Sequence, residues 1–149
     1  MKVLMVCLGN ICRSPLAHGL LQHKVEKLNK GWKVDSAGTS SWHIGRAPDI
    51  RSIDIANLNG LDISEQRARQ IKRTDLDDFD LIFVMDTENY QNVKNLDHKN
   101  NHSHKIKFIL NSVYPGENRA VPDPYYNDRF QEVYELLDRA TDKIIEDYS

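Results

Sequence analysis

The feature that most limits how this chain can fold is an uninterrupted apolar run, Val3 to Leu8, stopped by Gly9 and Asn10 and followed at Pro15 by a helical pattern. A short apolar stretch without polar alternation fits a strand buried on both faces, as in the middle of a parallel sheet. Gly and Asn tolerate positive φ, so the strand is expected to end in a tight turn. Pro15 suits a first helical turn, and Leu16, Ala17, Leu20, Leu21, Val25 and Leu28 recur at helical spacing until Gly31. The N-terminal segment therefore predicts strand, loop, helix.

The same rhythm continues along the chain. Trp32 to Ala37 predicts a second strand closed by Gly38, followed by an irregular loop from Thr39 to Ala47. Helices are expected over Pro48 to Leu58 and from Ser64 to about Arg73, a third buried strand over Asp80 to Met85, and a helix from Thr87 to about Leu96. Asp97 to His104 is polar and aperiodic, which predicts a mobile surface loop before a fourth strand near Ile106 to Leu110. Phe130, Val133, Tyr134, Leu137, Thr141, Ile144, Ile145 and Tyr148 mark a long C-terminal helix. Strands alternating with helices predict an α/β fold with a four-stranded parallel sheet and helices on both faces. At 149 residues, without repeat or linker, residues 1–149 are expected to form one domain. Ligands of such sheets sit beyond the carboxyl ends of the strands, which here means the loop that starts at Cys7.

Composition narrows the partners. Twenty basic and 22 acidic residues leave a net charge of −2, so no bulk positive field recruits nucleic acid. The apolar run is far shorter than the roughly 18 residues of a spanning helix, which predicts no membrane partner and a cytoplasmic location. A chain of this size buries about 68–70% of its unfolded surface, so stability does not require disulfides. The two cysteines, Cys7 and Cys12, suit a reactive pair in a reducing compartment. His98, His102 and His104 lack a carboxylate or thiol to complete a ligand set, so no metal is expected. Arg67, Arg69, Lys72 and Arg73 fit a solvated helix face better than a docking patch.

Cys7 and Arg13 are separated by five residues, with a thiol at the end of a strand and a guanidinium at the start of a helix. A loop of that kind curls its backbone N–H groups inward, and the helix N-terminus adds partial positive charge, so an anion fits there. The same donors favour the thiolate of Cys7. Arg13 can grip two oxygens of a tetrahedral anion in parallel, which lysine cannot. Ser14 can donate to the Cys7 sulfur and help it depart from a phosphocysteine. No Gly-Lys-Ser/Thr sequence closes the loop, which excludes a nucleotide P-loop.

Val6 to Pro15 resembles the active-site loop of the low-molecular-weight protein tyrosine phosphatases throughout its Cys-Leu-Gly-Asn-Ile-Cys-Arg-Ser core. The resemblance continues in family order through Asp35 to Thr39, Trp42 to Asp49, Arg67 to Gln70, Met85-Asp86 and Asp123 to Tyr126. It implies cofactor-free hydrolysis of phosphotyrosine in two steps through a phosphocysteine. Cys7 then corresponds to the nucleophile, Arg13 to the phosphate-binding arginine, and Asp123 to the general acid and later base. Leu8, Gly9, Asn10, Ile11, Cys12 and Ser14, with Trp42, Tyr125 and Tyr126, correspond to substrate-binding residues, and Asn10, Ser14 and Ser36 to supports of the loop. The implied partner is a phosphotyrosine protein or small aryl phosphate, with phosphate-like anions as inhibitors. Proximity and the family likeness also imply that Cys12 can form a protective disulfide with Cys7 on oxidation.

Three features depart from the family pattern. Gln66 stands where many members have His, so a loop-orienting hydrogen bond to Asn10 would come from an amide. Asn127 to Phe130 form a shorter link to the last helix, and Asp97 to His104 is an extended polar stretch. Arsenate reductases of related fold use further downstream cysteines, and none follows Cys12. Protein arginine phosphatases carry Thr where Ile11 stands. They are the nearest enzymatic alternative, and a non-catalytic phosphotyrosine-binding module is the alternative of another class.

Overall fold

In the computed structural model, which describes residues 1–149, the strands are β1 Lys2–Cys7, β2 Lys33–Gly38, β3 Leu81–Val84 and β4 Ile106–Phe108. The helices are α1 Arg13–Lys27, α2 Ile50–Leu58, α3 Arg73–Asp78, α4 Thr87–Leu96, α5 Pro124–Asn127 and α6 Phe130–Tyr148. The strands form one sheet in the order β2-β1-β3-β4, with every pairing parallel. The chain leaves β1 towards β2 on one side and returns past it to β3 on the other. The end of β1 is therefore the switch point at which such sheets open a crevice.

Pleating divides β1 between two cores. Val3, Met5 and Cys7 pack with residues of α1, α2 and α6, whereas Leu4 and Val6 pack with residues of α3 and α4. Val3 to Val6 are completely buried, and side chains of this kind stabilise by about 1.5–3 kcal/mol each, which fixes the strand from which the loop hangs. Helix α1 begins at Arg13, two residues before the proline that suggested it, so Pro15 lies in the first turn, where its missing N–H is tolerated. Gly38, paired with Cys7 across β1 and β2, must lack a side chain. A Cβ there would stand 2.8 Å from the Leu8 carbonyl oxygen and 3.1 Å from the Asn10 nitrogen.

One predicted helix is absent. Residues 66–70 are not helical, and Gln70 instead forms a parallel bridge with Gly38. The backbone groups that a helix would use internally are engaged elsewhere. Ala68 donates to the Arg46 carbonyl and accepts from Gly45, Arg69 accepts from Gly38, and Ile71 donates to Gly38, each at 2.8 Å. Arg69 is consequently not on a solvated helix face. Its guanidinium joins Asp35 at 3.1 Å and the buried Asp75 at 2.9 Å. The stretch from Asp97 to His104 also has a local organiser. The Asp97 side chain is buried and accepts from the backbone N–H groups of Asn101 and His102 at 3.3 and 2.9 Å. Burial would raise its carboxyl, but these two bonds hold it below the usual range.

Candidate active site

The strand-to-helix loop closes around the Cys7 sulfur. Asn10 takes the left-handed conformation, φ 57°, and donates its backbone N–H to Cys7 Sγ at 3.3 Å. Its side-chain amide donates to Ser14 Oγ at 2.7 Å, and its carbonyl accepts the backbone N–H of Arg69 at 3.0 Å. Because Ser14 Oγ accepts from Asn10, its own proton is free for Cys7 Sγ, 3.0 Å away. Asn10 and Ser14 are buried behind the loop and shape it without lining the cavity. The backbone of Thr39 and Ser40 holds the other flank, donating to the Cys7 and Leu8 carbonyls at 2.9 Å.

Gln66, whose bond to Asn10 the sequence left open, and Ser36, an anticipated support, both have other partners. Gln66 donates to the Pro15 carbonyl at 3.1 Å and does not reach Asn10, whose amide is engaged by Ser14 and Arg69. The Ser36 hydroxyl lies on β2, 3.1 Å from His18 Nδ1, and has no bond to the loop. Burial lowers the pKa of that histidine, against the pull of Asp35.

Arg13 is 97% buried yet flanked by acids. Its Nη1 donates to Asp86 at 2.8 Å and to the Val121 carbonyl at 3.1 Å, while Nη2 lies 3.5 Å from Asp123 Oδ2. Burial would favour loss of its proton, but the charges of Cys7, Asp86 and Asp123 outweigh it and raise the pKa. Asp86 also caps α4 through the Asn89 N–H at 2.8 Å, so the end of β3 fixes the guanidinium from behind. Asp123 caps the single turn α5, accepting from Tyr125 N–H at 3.1 Å. Cys12 is a free, buried thiol whose pKa is pushed up by burial and by the negative charge of Asp49.

Cys7, Leu8, Gly9, Ile11, Cys12, Arg13, Asp123, Trp42, Tyr125 and Tyr126 line one cavity of about 310 Å³. Trp42 and Tyr126 are largely exposed at its mouth, and the two tyrosine rings meet edge to face with centres 5.2 Å apart. His43 belongs to the same lining and packs against Gly9; it falls in the Trp42 to Asp49 stretch of the resemblance, which assigned it no role. Asp86 is the other residue without an assigned role in the sequence. Its only signal was the Met85-Asp86 pair at the end of an apolar strand. A larger cavity of about 630 Å³ runs along α4 and β4 and contains none of the anticipated site residues. No group of three or more His, Cys, Asp or Glu is placed to hold a metal ion, and no helix is long and apolar enough to cross a membrane.

Fold and site together define an α/β protein that presents a thiol, a buried guanidinium and a carboxyl group at a helix N-terminus suited to a tetrahedral anion. Residues 2–148 match the family model of low molecular weight phosphotyrosine protein phosphatases. The protein-tyrosine-phosphatase YfkJ of Bacillus subtilis is 40% identical over 97% of this chain and 93% of its own. Its crystal structure superposes with a TM-score of 0.92 over 99% of this chain and 93% of that one. A Drosophila arginine phosphatase, 32% identical, also superposes with a TM-score of 0.92, covering 100% of this chain and 98% of that one. Vibrio vulnificus Wzb in complex with benzylphosphonate, 26% identical, superposes at 0.86 over 98% and 97% of the two chains. The chain belongs to the low molecular weight phosphotyrosine protein phosphatase family and is an enzyme of that class.

Proposed function

We propose that the protein hydrolyses phosphotyrosine and related aryl phosphates in two steps through a phosphocysteine at Cys7. The observation that carries this reading is the convergence of Cys7, Arg13 and Asp123 on one aromatic-mouthed cavity. In the first step the Cys7 thiolate attacks phosphorus in line. The S–P bond forms as the P–O bond to the phenol breaks, and Asp123 gives its proton to the departing oxygen. A phenol has a pKa near 10, so this proton transfer is worth about 10²–10⁴ in rate. In the second step water attacks phosphorus, Asp123 takes its proton, and the sulfur leaves with the Ser14 hydroxyl donating to it. Arg13 serves both steps, because Nη1 is held by Asp86 and Val121 while Nε and Nη2 remain for the equatorial oxygens.

Ile11, Leu8, Trp42, Tyr125 and Tyr126 give the cavity an apolar and aromatic wall that suits a phenyl ring. The benzylphosphonate held by Wzb supports the same ligand chemistry. The test is steady-state hydrolysis of para-nitrophenyl phosphate, phosphotyrosine and phosphoarginine by wild type, Cys7→Ser and Asp123→Ala. Aryl phosphate turnover is expected, abolished in Cys7→Ser and reduced by orders of magnitude in Asp123→Ala. Preference for phosphoarginine would assign the specificity of the Drosophila neighbour instead. Tight phosphotyrosine binding without turnover would assign a binding module.

A further inference from the structure

The turn that carries Asp123 is held to the fold by very little. Of α5, only Pro124 is buried, and Tyr125, Tyr126 and Asn127 are exposed. The turn closes on itself: Asp123 accepts from Tyr125 N–H, and Asp128, left-handed at φ 57°, donates to the Pro124 carbonyl at 2.9 Å. Apart from the pairing of Asp123 with Arg13, every hydrogen bond that ties residues 123–128 to the fold beyond Arg129 comes from one side chain, Arg51.

Arg51 donates from Nη1 to Asp128 and points Nη2 at the Tyr125 carbonyl, 3.5 Å away. Its guanidinium carbon lies 5.5 Å from the Tyr125 ring centre and 4.7 Å from that of Phe130. Asp49 holds the opposite edge, accepting from Nε at 3.0 Å and from Nη2 at 3.1 Å. Asp49 also caps α2 and donates its backbone N–H to the Ile11 carbonyl at 2.8 Å. A continuous path therefore runs from the loop around Cys7 through Asp49 and Arg51 to the acid-bearing turn. Of the residues that receive the guanidinium, Asp128 lies in the shortened link and Phe130 opens α6.

We propose that Arg51 is a positioning residue that sets Asp123 against the scissile oxygen by clamping the acid-bearing turn to the phosphate-holding loop. The proposal rests on the reading of Asp123 as general acid. A planar fork is needed because the carboxylates of Asp49 and Asp128 approach different edges while aromatic rings lie against the guanidinium. Lysine, a point charge, cannot bridge all four.

The test compares kcat/KM for para-nitrophenyl phosphate with that for phenyl phosphate, whose leaving group is far more basic and depends more on the acid. The variants are Arg51→Ala, Arg51→Lys, Asp128→Asn, Asp123→Ala and the Arg51→Ala/Asp123→Ala double, with inorganic phosphate as competitive inhibitor. A displacement near 1 Å costs up to about 10²-fold, so Arg51→Ala should lower kcat/KM for phenyl phosphate about tenfold or more. The loss on para-nitrophenyl phosphate should be clearly smaller and phosphate inhibition unchanged. Asp128→Asn should move the ratio in the same direction, Arg51→Lys should restore part of it, and Arg51→Ala should cost little once Asp123 is already alanine. Equal losses on both esters, phosphate inhibition weakened in step, or an undiminished Arg51→Ala effect in the Asp123→Ala background would overturn the proposal. Wild-type hydrolysis of both esters by Asp123→Ala would instead overturn the reading of Asp123, and the clamp with it.

Discussion

Gly38→Ala tests whether the loop around Cys7 is held to tenths of an ångström. The residue is not at a positive φ, so alanine is permitted by its own backbone and the whole effect is one of contact. The added Cβ would face the Leu8 carbonyl oxygen at 2.8 Å, the Asn10 nitrogen at 3.1 Å and the Gly9 carbonyl carbon at 3.1 Å. All three are backbone atoms of the loop. Ordinary C···O approaches begin near 3.3 Å, so the loop and β2 must separate by about half an ångström. Such forced insertions cost about 1–3 kcal/mol, which for a domain of this size is a loss of about 2–12 °C in Tm. The same displacement moves the Asn10 N–H and Ser14 Oγ relative to the sulfur, and a fraction of the 10²-fold penalty for 1 Å implies a kcat/KM lower by about tenfold. Unlike the Arg51 variants, Gly38→Ala should slow esters of acidic and basic phenols alike and weaken inhibition by phosphate. Thermal unfolding, kinetics on both esters and phosphate inhibition measure the three effects. Wild-type kinetics and phosphate affinity in a folded Gly38→Ala protein would refute the argument.

Arg13→Lys keeps the charge but loses the fork, so kcat should fall about 10²–10³-fold, as when one transition-state donor is removed, and steady-state kinetics measure it. Asn10→Ala removes two buried side-chain hydrogen bonds, worth about 0.5–1.5 kcal/mol each, and leaves a side chain at φ 57° that costs about 1–2 kcal/mol. Urea unfolding should show a loss of about 2–5 kcal/mol, and a loss under 1 kcal/mol would contradict the assigned bonds. His18 is held below its ordinary pKa, chiefly by burial, so below about pH 6.5 the unfolded chain binds more protons than the native one there. Its contribution is complete above that pH and is lost as pH falls through the native value. His18→Gln should therefore reduce the fall in urea midpoint between pH 7 and 5, and an unchanged slope would count against it.

The parts of the fold that were legible in the sequence are those set by local pattern. Val3 to Leu8 declares a buried strand by composition, Gly9 and Asn10 declare its turn, and the Cys7 to Arg13 spacing places both groups on one loop. The periodicity from Phe130 to Tyr148 gave α6 with its observed bounds. Residues 65–70 misled for a physical reason. Glu65, Gln66, Arg67, Ala68, Arg69 and Gln70 have good intrinsic helix propensity, worth tenths of a kcal/mol each. Their backbone is instead consumed by Gly38, Asn10, Gly45 and Arg46, contacts that no local window contains. The partnership of Arg13 with Asp86 was invisible for the same reason, since it spans two strands. The resemblance implied Ser36 as a support of the loop and left the bond from Gln66 to Asn10 open, and the two side chains bond instead with His18 and the Pro15 carbonyl, partners that only the tertiary structure brings to them.

Counting donors on Arg13 shows how Asp123 can sit beside a buried guanidinium without occupying the donors that face the cavity. The guanidinium has five N–H groups. Asp86 and the Val121 carbonyl occupy Nη1, which aims the remaining edge, Nε and Nη2, into the cavity. Asp123 approaches that edge only at Nη2 and only to 3.5 Å, longer than a good charge-assisted bond of about 2.7–2.9 Å. In the proposed reaction a phosphoryl group takes Nε and Nη2 together, since a bidentate pairing outcompetes a single long contact. Asp123 is then released from the cation while α5 keeps it beside the cavity, next to the bridging oxygen that needs a proton. In the proposed reaction Arg13 would thus bind the substrate and free the acid in one exchange of hydrogen bonds. The geometry works only if Asp86 keeps Nη1 occupied: with Asp86 gone, the guanidinium can turn that nitrogen toward Asp123, and the acid becomes a permanent partner of the group meant to release it.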